Sequence, residues 1–339
     1  MSSIVAVRQT EFSNFEALHD AVQDAPSEIV QLEPGQMTGK LVHMSIGSAA
    51  ASAGRFTHGL RARGILSEHR LNLGTILGGP PALFQDIEAA PGDLIFIKPN
   101  HEVYARYFGA TAYVGTFVEP EELFAFLATE PKAQDAAVWR QSATLLAADP
   151  ATAVARTEQL KVLLMAIRDH GPTMSAEVAD YYKRCLLELM IAPVLNGNAD
   201  YRPQRLRSAL PLVREVDRFL IEAGSRSVHI SELVDHFGVP RRSLHRAFAE
   251  VLGMSPMQFF RRKRLGDAHN ALLMAAPGGV TIEGIAIRHG FLHVGRFARE
   301  YQLLFGELPS DTLRHSAESL IAPLSAPRVQ RSRQHHDAA

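Results

Sequence analysis

Hydrophobic positions follow three successive rhythms along this chain. From Lys40 to Val118, short apolar runs such as LVHMSIG, GLRARGIL, RLNLGTIL, GDLIFIKPN, EVYARYF and TAYVGTFV are separated by turn residues. Runs of that length and spacing predict antiparallel strands that close into a β-sandwich or small barrel. Pro91-Gly92-Asp93 ahead of LIFI adds a turn-then-strand signal. From Glu119 to Leu195 the period lengthens through EPEELFAFLATE, DAAVWRQSATLLA, TEQLKVLLMAIRDH and SAEVADYYKRCLLELMIAPVL. Leu160, Leu163, Leu164 and Ile167 recur at helical spacing, so these segments are expected as helices packed on the barrel or on a second subunit. Asn196-Gly197-Asn198 and Tyr201-Arg202-Pro203 then mark a linker over 196–208.

The third rhythm occurs twice. Ile230, Leu233 and Gly238 correspond to Ile282, Ile285 and Gly290 at an offset of 52. One residue inserted after the glycine makes the offset 53, and Leu244, Arg246, Phe248, Gly253 and Pro256 then meet Phe297, Arg299, Tyr301, Gly306 and Pro309. Each copy reads as a short apolar helix, a glycine able to take positive φ, a tight turn and a second helix whose apolar residues stand four apart. That is the pattern of a helix-turn-helix, whose second helix fits the DNA major groove.

The polar face of each second helix carries the candidate chemistry. In the first copy it holds Arg241, Arg242, His245 and Arg246, and in the second Val294, Gly295, Arg296 and Arg299. Arginine can bond guanine O6 and N7 together or contact phosphates, and small apolar residues can approach a thymine methyl. For one isolated helix, solvation of an amphipathic face is the simpler reading. Repetition tips the balance toward nucleic-acid readout. Between the copies, SPMQFFRRKRLGDAHNALLMAAPGG reads as one helix with Ser255 as N-cap and Pro256 in its first turn. Its basic run includes Arg261, Arg262 and Lys263 as candidate phosphate contacts, although helical rotation prevents all of these side chains and Arg264 from facing one backbone. LPLVREVDRFLIEAG, ending at Gly224, supplies a preceding amphipathic helix.

Charge sharpens this division. The net charge of −1 conceals −7 over residues 1–204 and +6 over 205–339. A basic C-terminal part joined to an acidic N-terminal part suits a polyanion-binding domain attached to a different module. No stretch has the length and apolarity of a membrane span, and the N-terminus lacks the pattern of a secretory signal, so a cytoplasmic location is expected. The single cysteine, Cys185, reads as a small core residue.

On these residues the C-terminal part resembles the AraC/XylS family of transcription regulators. The resemblance covers about Pro211–Arg314 and rests on L-x3-F at Leu244–Phe248, G-x-S-P at Gly253–Pro256 and R-L-x2-A-x3-LL at Arg264–Leu273. It continues in G-F at Gly290–Phe291, F-x-R-E-Y-x3-F-G at Phe297–Gly306 and L-P-S-x-T-L-R at Leu308–Arg314. It implies two helix-turn-helix units reading successive major-groove segments of double-stranded DNA. Arg242, His245 and Arg246 would read bases in the first unit, with Gly295, Arg296 and Arg299 as their counterparts. It also implies an activator that recruits RNA polymerase, a homodimer and a cupin-like N-terminal domain that senses a small-molecule effector. Pro240 stands where the family often has a serine cap, and His293 where a small polar cap is usual.

The expected fold is α+β and multidomain. An N-terminal cupin-like β-barrel or sandwich with helical additions occupies 1–195, β-rich over 40–118 and helical over 119–195. An all-α domain with two helix-turn-helix units and a linker helix occupies 209–315, and 316–339 forms a polar tail. A barrel of this kind can enclose a small ligand. Arg61, Arg63, Tyr104, Arg106 and Tyr107 are candidates to meet a ligand, against the simpler reading of a solvated sheet face. His43, His58, His69 and His101 are dispersed with no H-x-H pair, and His335-His336 lies in the polar tail, so neither a metal nor a cofactor is expected. The chain is therefore read as a regulator, with two rivals: an enzyme fused to a DNA-targeting domain, and a non-specific architectural DNA binder. The unlike faces RRSLHR and VGRFAR favour sequence readout.

Overall fold

The computed structural model describes residues 4–12, 27–85, 87–128, 133, 136–196, 200–201, 209–224, 226, 228–275 and 279–321. Its N-terminal strands are β1 (Val5–Phe12), β2 (Ser27–Gln31), β3 (Gly39–Ile46), β4 (Ala49–Phe56), β5 (Leu60–Ile65), β6 (Leu71–Gly78), β7 (Ala82–Phe84), β8 (Ile87–Ala89), β9 (Leu94–Ile97), β10 (Glu102–Tyr107) and β11 (Thr111–Val118). β12 (Ala143–Ala147) and β13 (Asp200–Tyr201) complete the set. They form an eight-stranded sheet ordered β1-β3-β4-β11-β6-β9-β12-β13 and a five-stranded sheet ordered β2-β5-β10-β7-β8. Neighbouring strands run antiparallel. The expected β-rich domain with helical additions is present, but β1 and β2 extend it to before Lys40.

Helices α1 (Pro120–Leu127), α2 (Pro150–His170) and α3 (Ala176–Leu195) pack on the eight-stranded sheet. Leu160, Leu164 and Ile167 of α2, with Leu186, Met190 and Ile191 of α3, share one core with Leu71, Leu73, Leu94 and Phe96. The helical reading of DAAVWRQSATLLA is corrected: a 3-10 turn at Ala137–Arg140 leads into β12. Trp139 stabilises that turn by donating from Nε1 to the Ala133 carbonyl at 2.6 Å and packing edge-on against Phe96. Leu145 and Leu146 enter apolar clusters on opposite sides of the sheet, so the strand lacks the alternation of a half-solvated one. Cys185 is half-buried beside Tyr181 rather than inside the core.

The C-terminal domain consists of α4 (Ala209–Ala223), α5 (Ile230–Phe237), α6 (Arg241–Leu252), α7 (Pro256–Leu273), α8 (Ile282–Arg288), α9 (Val294–Phe305) and α10 (Pro309–Ile321). Ser255 caps α7 as expected: its Oγ accepts from the Gln258 amide, and Gln258 Oε1 accepts from the Ser255 amide. Two boundaries move, because β13 pairs with β12 inside the expected linker and α10 runs six residues past 315. Residues 197–199 and 202–208 of that linker, Pro277-Gly278, and the tail from 322 with His335-His336 lie outside the described residues.

The domains share apolar interior. Met37, Leu41 and Leu60 cluster with Leu265, Tyr301 and Phe305, while Val30, Leu32 and Tyr104 cluster with Val213, Phe248 and Phe259. The five-stranded sheet is thus covered on its outer face by the helical domain.

Candidate DNA interface and sensor cavity

The first helix-turn-helix consists of α5 and α6. Apolar residues every third or fourth position hold the pair together, with Ile230, Leu233, Leu244, Phe248 and Val251 all buried. His229 caps α5 in reciprocal bonds with the following turn, and Gly238 ends it at φ +61°, a left-handed conformation that a side chain would strain. Pro240 stands at the N-cap of α6 without a side-chain cap, but the helix still starts at Arg241 because its pre-set φ suits a first turn. Burying Leu244 and Phe248 leaves Arg241, Arg242 and Arg246 exposed on the opposite face and His245 half-buried.

In the second unit, Gly290 makes the corresponding turn at φ +78°, and Phe297, Tyr301 and Leu304 bury the inner face of α9. Tyr301 bonds His269 of α7 and Thr312 of α10, which ties the unit into one polar network beneath its apolar contacts. Gly295, Arg296 and Arg299 are exposed and Val294 half-buried. Arg296 Nε donates to Glu300 Oε1 at 2.9 Å, an oxygen that also accepts from Arg261 Nη1 at 2.9 Å.

The basic run of α7 is engaged elsewhere. Arg261 bonds Glu300, Lys263 pairs with Glu28 of β2, and Arg264 donates to the Gly290 carbonyl and lies over the Phe291 ring. Burial lowers the pKa of Arg262, partly offset by Glu33, and that of Lys263, partly offset by Asp267. Lys263 is only 12% exposed and faces the N-terminal domain. In this arrangement it does not present the free surface ammonium that a phosphate contact requires.

A family model for the helix-turn-helix domain matches residues 233–315. The chain is 36% identical over 103 residues to "XylDLEGF operon transcriptional activator 2" of Pseudomonas putida, covering 30% of this chain and 66% of that protein. It is 36% identical over 129 residues to "Probable thc operon regulatory protein" of Rhodococcus erythropolis, covering 37% and 39% respectively. Through its C-terminal domain the chain belongs to the AraC/XylS family. A solved probable AraC family transcriptional regulator from Rhodopseudomonas palustris CGA009 is 36% identical and covers 32% of this chain and 98% of its own, with a TM-score of 0.29. The chain spans less than two thirds of the length of these first two curated relatives.

Two features of this AraC/XylS-family chain were hidden in the sequence. The first is a buried ionic contact between domains. On β5, Leu60 and Ala62 face inward while Arg61 and Arg63 face the helical domain. Arg61, fully buried, donates to Asp217 of α4 at 3.0 Å and to Glu28 at 2.7 Å. Arg63 reaches the other Asp217 oxygen at 3.5 Å and Glu102 at 2.8 Å, and Arg214 of α4 donates to Glu102 at 2.7 Å. Arg61 and Arg63 are thus buried against the helical domain, and neither lines the cavity between the sheets. Burial pushes the Glu102 carboxyl up, but hydrogen bonds and charge from Arg214 and Arg63 outweigh it and leave its pKa below the ordinary value. Arg106 Nη1 donates to the Val251 carbonyl at 2.9 Å, and Tyr104 is buried at the interface. At the other unit, Gln31 Nε2 donates to the Leu304 carbonyl at 2.8 Å. The N-terminal domain therefore holds the C-terminal ends of both α6 and α9 while leaving their arginine-bearing N-terminal halves exposed.

The second feature is a cavity of about 140 Å³ between the sheets, lined by residues including Ile29, Leu60, Asn72, Ile95 and Tyr107. A wider cleft of about 880 Å³ lies outside it among Glu11, Lys40 and Arg55, and Phe56 lines both. The smaller space is the better candidate sensor site because its walls are more apolar and it is less open to solvent than the outer cleft. Asp217 left one trace in the sequence: with Val213, Val216 and Leu220 it occupies the apolar stripe of α4, where a carboxylate requires a buried partner.

Proposed function

We propose that this protein is a sequence-specific, DNA-binding transcription regulator, most simply an activator, controlled by a small molecule bound in its N-terminal domain. One observation carries the reading: two helix-turn-helix units present different arginine-bearing faces away from a common sensor domain. Arg241, Arg242, His245 and Arg246 are assigned to one DNA segment, and Val294, Gly295, Arg296 and Arg299 to the next. Arg261 and Arg262 are retained as candidate phosphate contacts, which requires their present partnerships to rearrange. Residues 1–195 form the sensing domain, 196–208 the connection and 209–315 the core of the DNA-binding domain.

Control follows from the two faces of the five-stranded sheet. Ile29, Leu60, Ala62 and Tyr107 face the cavity, while Glu28, Arg61, Arg63 and Arg106 face the helical domain. A ligand that favours one sheet geometry would shift the DNA-binding domain between states, with an effect limited by its differential affinity for them. Exposed Val154, Val162 and Met165 on α2 support self-association as a homodimer. RNA polymerase is the further partner expected of an activator. No helix among the described residues is long and apolar enough to cross a membrane, in keeping with a cytoplasmic regulator. The reading assigns no enzymatic step to the chain.

Selection of bound sequences from a random DNA pool by the full-length protein tests this function. A gapped motif spanning two major-groove segments, with Arg246→Ala relaxing one and Arg299→Ala the other, is the expected result. Absence of an enriched motif, with binding lost uniformly as salt rises, would refute sequence-specific regulation.

A further inference from the structure

The chemistry of the cavity defines the class of molecule it accepts. We propose that it binds an uncharged, mainly apolar molecule about the size of one six-membered ring, with a hydroxyl or carbonyl group held by Asn72. This rests on the sensor reading above and specifies its ligand.

The space is created in the backbone. Gly74 of β6 and Gly115 of β11 are opposite each other in register, with Ser52 of β4 opposite Gly115 and Ile95 of β9 opposite Gly74. This cross-strand row lacks side chains at its centre, leaving a void between the sheets. A Cβ on Gly115 would come within 3.0 Å of Asn72 Nδ2, whereas one on Gly74 would meet its nearest neighbours at 3.5–3.8 Å. Asn72 therefore borders the void, and Gly74 has room for a methyl group. A comparable apolar cavity of about 150 Å³ accommodates benzene.

Charge is excluded from this site. None of its lining residues is Asp, Glu, Lys, Arg or His. The adjacent cations, Arg61 and Arg63, leave β5 on the opposite face and are paired with Asp217, Glu28 and Glu102. A carboxylate or ammonium in the cavity would lose its hydration without gaining a counterion. The phenols are also uncharged: burial raises Tyr107 to about 12 and raises Tyr113 further, with Ser52 hydrogen-bonding Tyr113 in partial opposition.

Few polar side chains line the cavity: Ser52, Asn72, Thr75, Tyr107 and Tyr113. Asn72 is 4% exposed, and its side-chain amide has no hydrogen-bond partner among the described residues. The Asn72 amide can donate to a ligand carbonyl or accept from a ligand hydroxyl. Most of the remaining wall is hydrocarbon, which offers water too few partners and favours an apolar ring.

Isothermal titration of the full-length protein with benzyl alcohol, benzoate and benzylamine compares ligands of one size and different charge. Benzyl alcohol should bind at least tenfold more tightly than either ion, with a negative heat-capacity change. Gly74→Ala, which adds a methyl without a backbone clash, should weaken benzyl alcohol at least fivefold; Asn72→Leu should weaken it two- to tenfold. Lys40→Ala in the outer cleft should leave its affinity unchanged. Tighter benzoate or benzylamine binding, no binding by benzyl alcohol, or insensitivity to Gly74→Ala would overturn the proposed ligand class. DNA affinity measured in the same samples separates the two ideas. Cavity binding without any change in DNA affinity refutes the sensor reading alone; binding of an ion that changes DNA affinity refutes the ligand class and preserves sensing.

Discussion

The two helix-turn-helix units share a buried framework but differ in their available charge and in how they meet the N-terminal domain. α6 presents Arg241, Arg242 and Arg246 without an ion pair among the described residues, whereas Arg296 of α9 is bonded to Glu300. The first unit is approached by a buried ionic cluster through Asp217 and by Arg106. The second is approached by apolar packing and the Gln31–Leu304 bond. Identical architecture can therefore carry unequal roles: the first unit offers more free cationic chemistry, and the second is held by contacts less sensitive to charge.

Removing Asp217 should have the largest effect. Asp217→Ala leaves Arg61 with only Glu28 and Arg63 with only Glu102, at an expected cost of about 3–5 kcal/mol. Chemical denaturation measures this loss, and protease sensitivity should increase around α4 and α6 before α9. A cost below about 1 kcal/mol would show that the ionic cluster does not anchor the first unit.

Base readout gives the next largest effect. Arg246→Ala should cost about 1–3 kcal/mol in specific binding, and Arg299→Ala should fall toward the lower end of that range. Fluorescence anisotropy on the selected site provides the comparison. Equal losses would erase the predicted dominance of the first unit. Salt dependence separates exposed cations from those already engaged: Arg242→Ala should reduce the magnitude of the log–log salt slope by about 1, and Lys263→Ala by much less. An equal change for Lys263 would mean that it leaves Glu28 and reaches DNA.

The pH response should be smaller. The depressed pKa of Glu102 means that its pairing with Arg214 and Arg63 stabilises fully above the ordinary carboxylate value and is lost as pH falls through the lower folded value. Stability measured across this acidic interval should fall less in Glu102→Gln than in the wild type, and identical profiles would remove this ion group from the domain linkage. Smallest of all, Gly295→Ala has open space around the new Cβ and should raise stability by up to about 1 kcal/mol through helix propensity. Any change in preferred DNA sequence would then test whether that bare position belongs to the reading face.

Much of the C-terminal domain was legible because local rules reinforce one another there. Apolar spacing, the Ser255 cap and the turn glycines locate successive helices, and burial of Leu244 and Phe297 leaves their neighbouring arginines on the outer faces. The N-terminal boundary was less legible because β1 and β2 lie outside the interval where strands were expected. β12 also has core on both sides, so its apolar run carries no half-buried alternation.

The sequence alone determined the repeated helical framework, its unlike polar faces and the β-rich character of the N-terminal domain. Tertiary structure decided which charges remained available and where a cavity formed. It brought Arg61 against an aspartate 156 positions away, buried the pair, and turned Lys263 toward Glu28 instead of open surface. It also aligned Gly74 with Gly115, whose missing side chains form a cavity only when the two sheets close. Helices and turns arise from neighbouring residues, whereas desolvation, ion pairing and enclosed volume depend on which distant segments meet.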